Sequence, residues 1–185
     1  QNLERLVDDD DSTNIVLAQA DALGYFLDRN PEDLRKIDIL ENIGQECVFL
    51  ITATTGKIRN DEDLQGKRAH RIAISSPESG AAVTFRYMTN LVPEMSVNTA
   101  QYGDTAPAMQ GIRSGDGVGA DAVMLVHRPR EYSPEVDLAL RHAEQFRFVE
   151  ITDKRFRSEL PNGEAVDDSM RLVLPVPGSE ERKQV

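Results

Sequence analysis

Five short apolar runs alternate with helix-like segments along this chain, and that alternation limits the fold more than any other feature. The runs are NIVLAQAD (14–21), CVFLIT (47–52), RIAIS (71–75), DAVMLV (121–126) and FRFVEIT (146–152). Each is apolar in consecutive positions rather than in every second one, which suits a strand covered on both faces. Between them ALGYFLDR (22–29), GAAVTFRYMTNLV (80–92), TAPAMQGIRSG (105–115) and SPEVDLALRHAEQ (133–145) carry helical spacing. Strands alternating with helices of this length predict crossover units and a mainly parallel sheet, hence an α/β protein. Punctuation agrees: Gly66 follows a short helical turn in DLQGKR and precedes a strand, and RSGDGVGAD (113–121) is a glycine-rich loop between helix and strand.

The chain has 185 residues, 39% of them hydrophobic, enough for one substantial α/β domain or two small lobes. With 21 basic against 32 acidic residues the net charge is −11, so nucleic-acid phosphates and anionic lipid are repelled over most of the surface. No apolar run approaches the roughly 20 residues that cross a bilayer. The single cysteine, Cys47, lies in an apolar run, which predicts a buried, inert thiol and no disulfide. The chain opens in mid-pattern, since Leu3, Leu6 and Val7 look like the end of an amphipathic helix, and further sequence is expected upstream.

Motifs with catalytic chemistry are scarce. The acidic run Asp8–Asp11 offers oxygens in alternate positions, but a calcium loop needs a glycine at its bend and a terminal Glu, and positions 13 and 19 are Thr and Gln. A solvated turn is expected there. Glycines 115, 117 and 119 precede a strand, whereas a dinucleotide loop follows one. His70, His127 and His142 share no ligand spacing with one another or with Cys47, and each is expected at the surface or at an edge. No nucleophile elbow is present. No catalytic, metal or cofactor residue is therefore expected.

The most informative stretch is RIAISSPESGAAVTFRYM (71–88), a strand entering a helix through small residues. Ser76-Pro77-Glu78 reads as an N-cap, a proline in the first helical position and an acid in the first turn. Ala81, Phe85, Met88 and Val92 then share one face. The free N–H groups near Ser79 and Gly80 would suit a carboxylate or phosphate, while the same arrangement also serves as a plain turn, and Glu78 sets a negative charge beside the seat.

The order of NLERLVDDDDSTNIVLAQADAL, LRKIDILENIGQECVFLITATTGKIRNDEDLQGKRAHRIAISSPESGAAVTFRYMTNL, GADAVMLVHRPREYSPEVDLAL and FRFVEITDKRF resembles the TAXI family of solute receptors. These are the extracytoplasmic binding proteins of TRAP transporters and have the type II periplasmic-binding-protein fold. The resemblance runs from Leu3 to about Phe156. Gln19-Ala20-Asp21 is similar to a family Q-S-D segment, DLQGK to a D-L-K-G-K segment, PESGA to a P-G-S-G-T segment, and DAVMLV to a strand opening with D-A. The resemblance implies two α/β lobes, 1–62 plus 127–185 and 63–126, with a small organic anion such as glutamate or another carboxylate held between them. That ligand would pass unchanged to membrane transporter subunits outside the cytoplasm. The ligand-binding residues it implies are Gln19, Asp21, Ser76, Ser79, Gly80, Thr84 and Asp121, with Thr84 also serving in packing.

This chain departs from the family pattern at Glu78, where a glycine is usual, and at Ala81, where a threonine is usual. KRAHRIAI carries two extra residues before its strand, and the tail from Pro161 matches only around LVLPVP. The first strand and helix of the family's first lobe have no counterpart, so that lobe is expected to be incomplete, with an unpaired edge. Two other functions stay open at this point: a sensing module that uses the fold without transport, and an enzyme depending on Asp21, Glu78 or Asp121.

Overall fold

A computed structural model describes residues 2–114, 119–129, 133–156, 173–175 and 182–184. The elements are α1 (Asn2–Val7), α2 (Ala20–Arg29), β1 (Cys47–Ala53), β2 (Arg71–Ile74), α3 (Gly80–Leu91), β3 (Thr99–Tyr102), α4 (Thr105–Ser114), β4 (Ala122–His127), α5 (Pro134–Arg141), β5 (Phe146–Phe148), β6 (Val173–Pro175) and β7 (Arg182–Gln184). Short 3₁₀ turns lie at Pro31–Lys36, Asp61–Gln65, Pro93–Val97 and Lys154–Phe156.

Strands β1 to β5 form one mixed sheet in the order β3-β2-β4-β1-β5. The pairings of β2 with β3 and β4 are parallel, and those of β1 with β4 and β5 are antiparallel. The parallel half follows from the crossovers: β2 reaches β3 through α3, and β3 returns across β2 to β4 through α4. The antiparallel half was not legible in the sequence, because β1 is far in sequence from both of its partners. Strands β1 and β5, from the segments expected in the first lobe, thus share a sheet with β2, β3 and β4. β6 and β7 form a separate antiparallel pair.

Both faces of the sheet are covered, as the consecutive apolar runs require. Leu50, Ile72, Ile74 and Met124 meet Ala81, Ala82, Phe85, Met88 and Val92 of α3 on one face. Phe49, Ile51, Ala73, Val123 and Leu125 meet Met109 and Ile112 of α4 and Val136, Ala139 and Leu140 of α5 on the other. The predicted stripe of α3 is therefore its buried face. Cys47 is buried at the mouth of the second core, and burial pushes its thiol pKa up.

Four expectations need correction. Residues 14–18 form no strand, and α2 begins already at Ala20. α3 starts three residues later than Ser-Pro-Glu suggests: Ser79 is the cap, its side chain accepting from the Ala82 amide, while Ser76 accepts the Ser79 amide (3.2 Å) in the preceding turn. Only 146–148 of the run 146–152 are strand, and β3 has the polar sequence TAQY, so apolar content could not reveal it. His70 is buried, 2% exposed, where a surface or edge position was expected. Its backbone sits between Asn98 and Thr99, accepting the Thr99 amide (2.9 Å) and donating to Asn98 Oδ1 (3.0 Å). Residues 115–118, most of the glycine loop, and most of the tail from 157 lie outside the described residues.

Candidate functional site

In an open α/β sheet the crevice for a ligand lies beyond the carboxyl ends of the strands, where successive crossovers leave in opposite directions. Here that point falls between β2 and β4. β2 ends at Ile74 and leads through Ser75–Ser79 into α3, and β4 ends at His127, which pairs with Cys47 at the start of β1. The starts of α3, α4 and α5 and the residue Glu46 all come to this edge, because each follows or precedes a strand ending there.

Gln19, Asp21, Ser79, Gly80 and Thr84 meet at this edge although the two groups lie some sixty residues apart in sequence. The means is α2, which packs on α3. Asp21 is buried, 5% exposed, and the Thr84 hydroxyl donates to its carboxylate while the Ala22 amide donates from 2.7 Å. Burial raises the Asp21 pKa above its ordinary value, and the Thr84 and Ala22 hydrogen bonds work against that rise. Farther along, Asn90 Nδ2 donates to Asp28 (3.2 Å), and Gly24 lies so close to Tyr87 that a Cβ there would stand 2.9 Å from the phenol oxygen.

Gln19 occupies the seat itself. A Cβ on Gly80 would lie 2.5 Å from Gln19 Oε1, so the amide of that side chain covers the backbone at the start of α3. Its Nε2 donates to Glu46 (2.6 Å), a residue to which no sequence signal pointed, since it simply precedes β1. Ser79 is spent on the helix: its hydroxyl donates to the Ser76 carbonyl (2.7 Å) and accepts from Ala82. Glu78 is exposed.

Asp121 does not join this group. It precedes β4 at the opposite, amino-terminal edge, where its side chain accepts the Arg71 amide (2.8 Å) and its carbonyl accepts the Thr52 hydroxyl (2.8 Å). Its part there is to tie the starts of β2 and β4 to the end of β1.

At the carboxyl edge the sequence reading also missed Glu135, near the start of α5, which accepts from the Thr105 hydroxyl at the start of α4 (2.6 Å). Burial works to raise its carboxyl, but the hydroxyls of Thr105 and Ser133 and the nearby His127 bring it below the ordinary value.

Between the sheet and α3 lies a void of about 10 Å³ lined by Leu50, Ile72, Phe85, Met88, Met124 and neighbours, apolar and at most one water in size. It is a packing gap rather than a ligand site. Among the described residues no group of three or more His, Cys, Asp or Glu side chains could hold a metal ion, and no helix is long and apolar enough to cross a membrane.

Fold and site together define a three-layer α/β protein with a polar cluster at a crossover switch point. No protein-family model, curated protein or solved structure matches the chain.

Proposed function

We propose that this protein is a TAXI-like solute receptor that takes a small organic anion, an amino acid or another carboxylate, at the carboxyl edge of β2 and passes it on chemically unchanged to membrane transporter subunits outside the cytoplasm. One observation carries this reading: Gln19 and Asp21, from the amino-terminal segment, converge with Ser79, Gly80 and Thr84 on the start of α3, with the Gln19 side chain against Gly80. The first-turn amides at the start of α3 carry the positive end of the helix dipole, the natural partner of a carboxylate, and the Gln19 side chain packs against Gly80 beside them. Movement of the segment that carries α2 away from α3 would withdraw Gln19 from Gly80 and open the start of α3, and closure around ligand would restore the contact.

The test is a panel of amino acids and dicarboxylates followed by differential scanning fluorimetry and calorimetry on the full chain. A receptor gains thermal stability with one of them, and Gly80→Ala, whose methyl group fills the seat, removes that gain while leaving the unliganded melting temperature within a few degrees. If no member of the panel shifts the wild type, or if Gly80→Ala responds like the wild type, the reading fails.

A further inference from the structure

The first 46 residues hold a second feature, separate from the anion seat. Eighteen apolar side chains lie in this stretch, yet only Leu23 among them is buried. Ile15 is 73% exposed, Leu17 69%, Leu40 77% and Ile43 66%. These four lie on two segments, 12–19 and 37–46, that belong to no helix or sheet among the described residues. The segments share both ends. Lys36 Nζ donates to the Val7 carbonyl (2.9 Å) before the segments begin, and Gln19 Nε2 donates to Glu46 (2.6 Å) where they finish.

They therefore run in the same direction, joined through α2, in the arrangement of two parallel strands and their crossover helix. Among the described residues the backbones of 14–18 and 38–43 make no backbone hydrogen bonds. Segments with this apolar content suit a strand ladder, and among the described residues none completes it.

We propose that segments 13–18 and 37–43 accept a β-strand from a cationic partner polypeptide, which pairs with their backbones and covers Ile15, Leu17, Leu40 and Ile43. Main-chain pairing would give the affinity and the apolar side chains the register, as in other strand additions. Charge selects the partner. Residues 1–46 carry twelve acidic against four basic side chains, −8 of the chain's −11, with Asp8, Asp9, Asp10, Asp38 and Glu41 exposed around the segments. A second copy would set −8 against −8 within a Debye length of about 8–10 Å, whereas lysines flanking a partner strand meet complementary charge.

The probe is a synthetic peptide of alternating Val and Thr flanked by lysines, added to the full chain. Two controls accompany it, one with glutamates in place of the lysines and one with a central proline. The expected result is slowed amide exchange confined to 13–18 and 37–43 with the lysine peptide, weakening as salt is raised and absent with both controls. Leu17→Glu and Leu40→Glu, at positions already open to water, should abolish the response without lowering the melting temperature. Three results overturn the proposal: no protection with the lysine peptide, equal protection with either control, or the same protection in peptide-free protein that sediments as a dimer. None of these depends on whether the anion seat binds a ligand.

Discussion

Thr84→Val isolates the contact that ties α2 to α3. Valine has the shape of threonine, so α3 keeps its packing and no cavity opens; what disappears is the hydroxyl that donates to the Asp21 carboxylate. Asp21 then keeps the Ala22 amide but lies 5% exposed with one donor fewer. A hydrogen bond to a charged group is worth about 1.5–3 kcal/mol, and its loss at a buried carboxylate belongs at the upper part of that range. We expect a loss of about 2.5 kcal/mol at pH 8, read by urea denaturation.

The pH dependence gives the argument its test. Burial already places the folded-state pKa of Asp21 above its unfolded value, so the folded state binds the proton more readily and Asp21 costs stability progressively as pH rises through that window. Removing the Thr84 donor pushes the folded value higher still. The Thr84→Val penalty should therefore shrink as pH falls and Asp21 takes up its proton. In Asp21→Asn the penalty of Thr84→Val should become small and independent of pH, and the double-mutant cycle should return a coupling above about 1 kcal/mol at pH 8. A penalty that does not change as pH falls through the titration of Asp21, or a coupling near zero at pH 8, would refute an ionised Asp21 held by Thr84.

Three further outcomes follow from the same geometry. Gly24→Ala should destabilise by about 1–2 kcal/mol, because the new methyl meets the phenol of buried Tyr87 at 2.9 Å and overpacking outweighs the gain in helix propensity, whereas Gly80→Ala displaces only the flexible end of Gln19 and should stay within about 1 kcal/mol of wild type; the reverse order of melting temperatures would contradict this packing. His70 has an Nδ1 with no partner, and burial lowers its pKa although Asp121 works against that, so its contribution to stability is lost as pH falls from about 6.5 toward the lower folded value; His70→Leu should flatten the stability profile between pH 5 and 7, and an unchanged slope would exclude the effect. Asp61, 1% exposed, accepts the Thr152 and Asp153 amides (2.8 and 2.7 Å) and holds the chain after β5 against the 3₁₀ turn at Asp61–Gln65; Asp61→Ala should cost about 2–4 kcal/mol and open 150–156 to proteolysis, with Asp61→Asn losing less, and equal losses from the two would remove the acceptor argument.

Local physics made much of this molecule readable in the sequence. The consecutive apolar runs of β1, β2 and β4 demanded cover on both faces, the stripe Ala81–Phe85–Met88–Val92 defined the buried side of α3, and a lone Cys47 within an apolar run was bound to be buried. These are properties of near neighbours in the chain and need no knowledge of what lies opposite. Where sequence reasoning failed, the deciding partner was remote. NIVLAQAD has the composition of a doubly covered strand, but a strand also needs a ladder, and among the described residues the backbone of 14–18 finds none.

The tertiary structure alone decided which candidate site residues meet. The docking of α2 on α3, fixed by Gly24 against Tyr87 and by Asp21 with Thr84, carried Gln19 onto Gly80 and next to Glu46. The same sheet register put Asp121 at the far edge, on the Arg71 amide. His70 looked like a polar edge residue because its composition says nothing of the turns at 61–65 and 93–98 that close over it. Sequence by itself settled which segments would be apolar and which face of α3 would be buried, since those preferences are local. Tertiary structure settled which polar groups face one another and which apolar ones stay open to water, because both depend on contacts tens of residues apart.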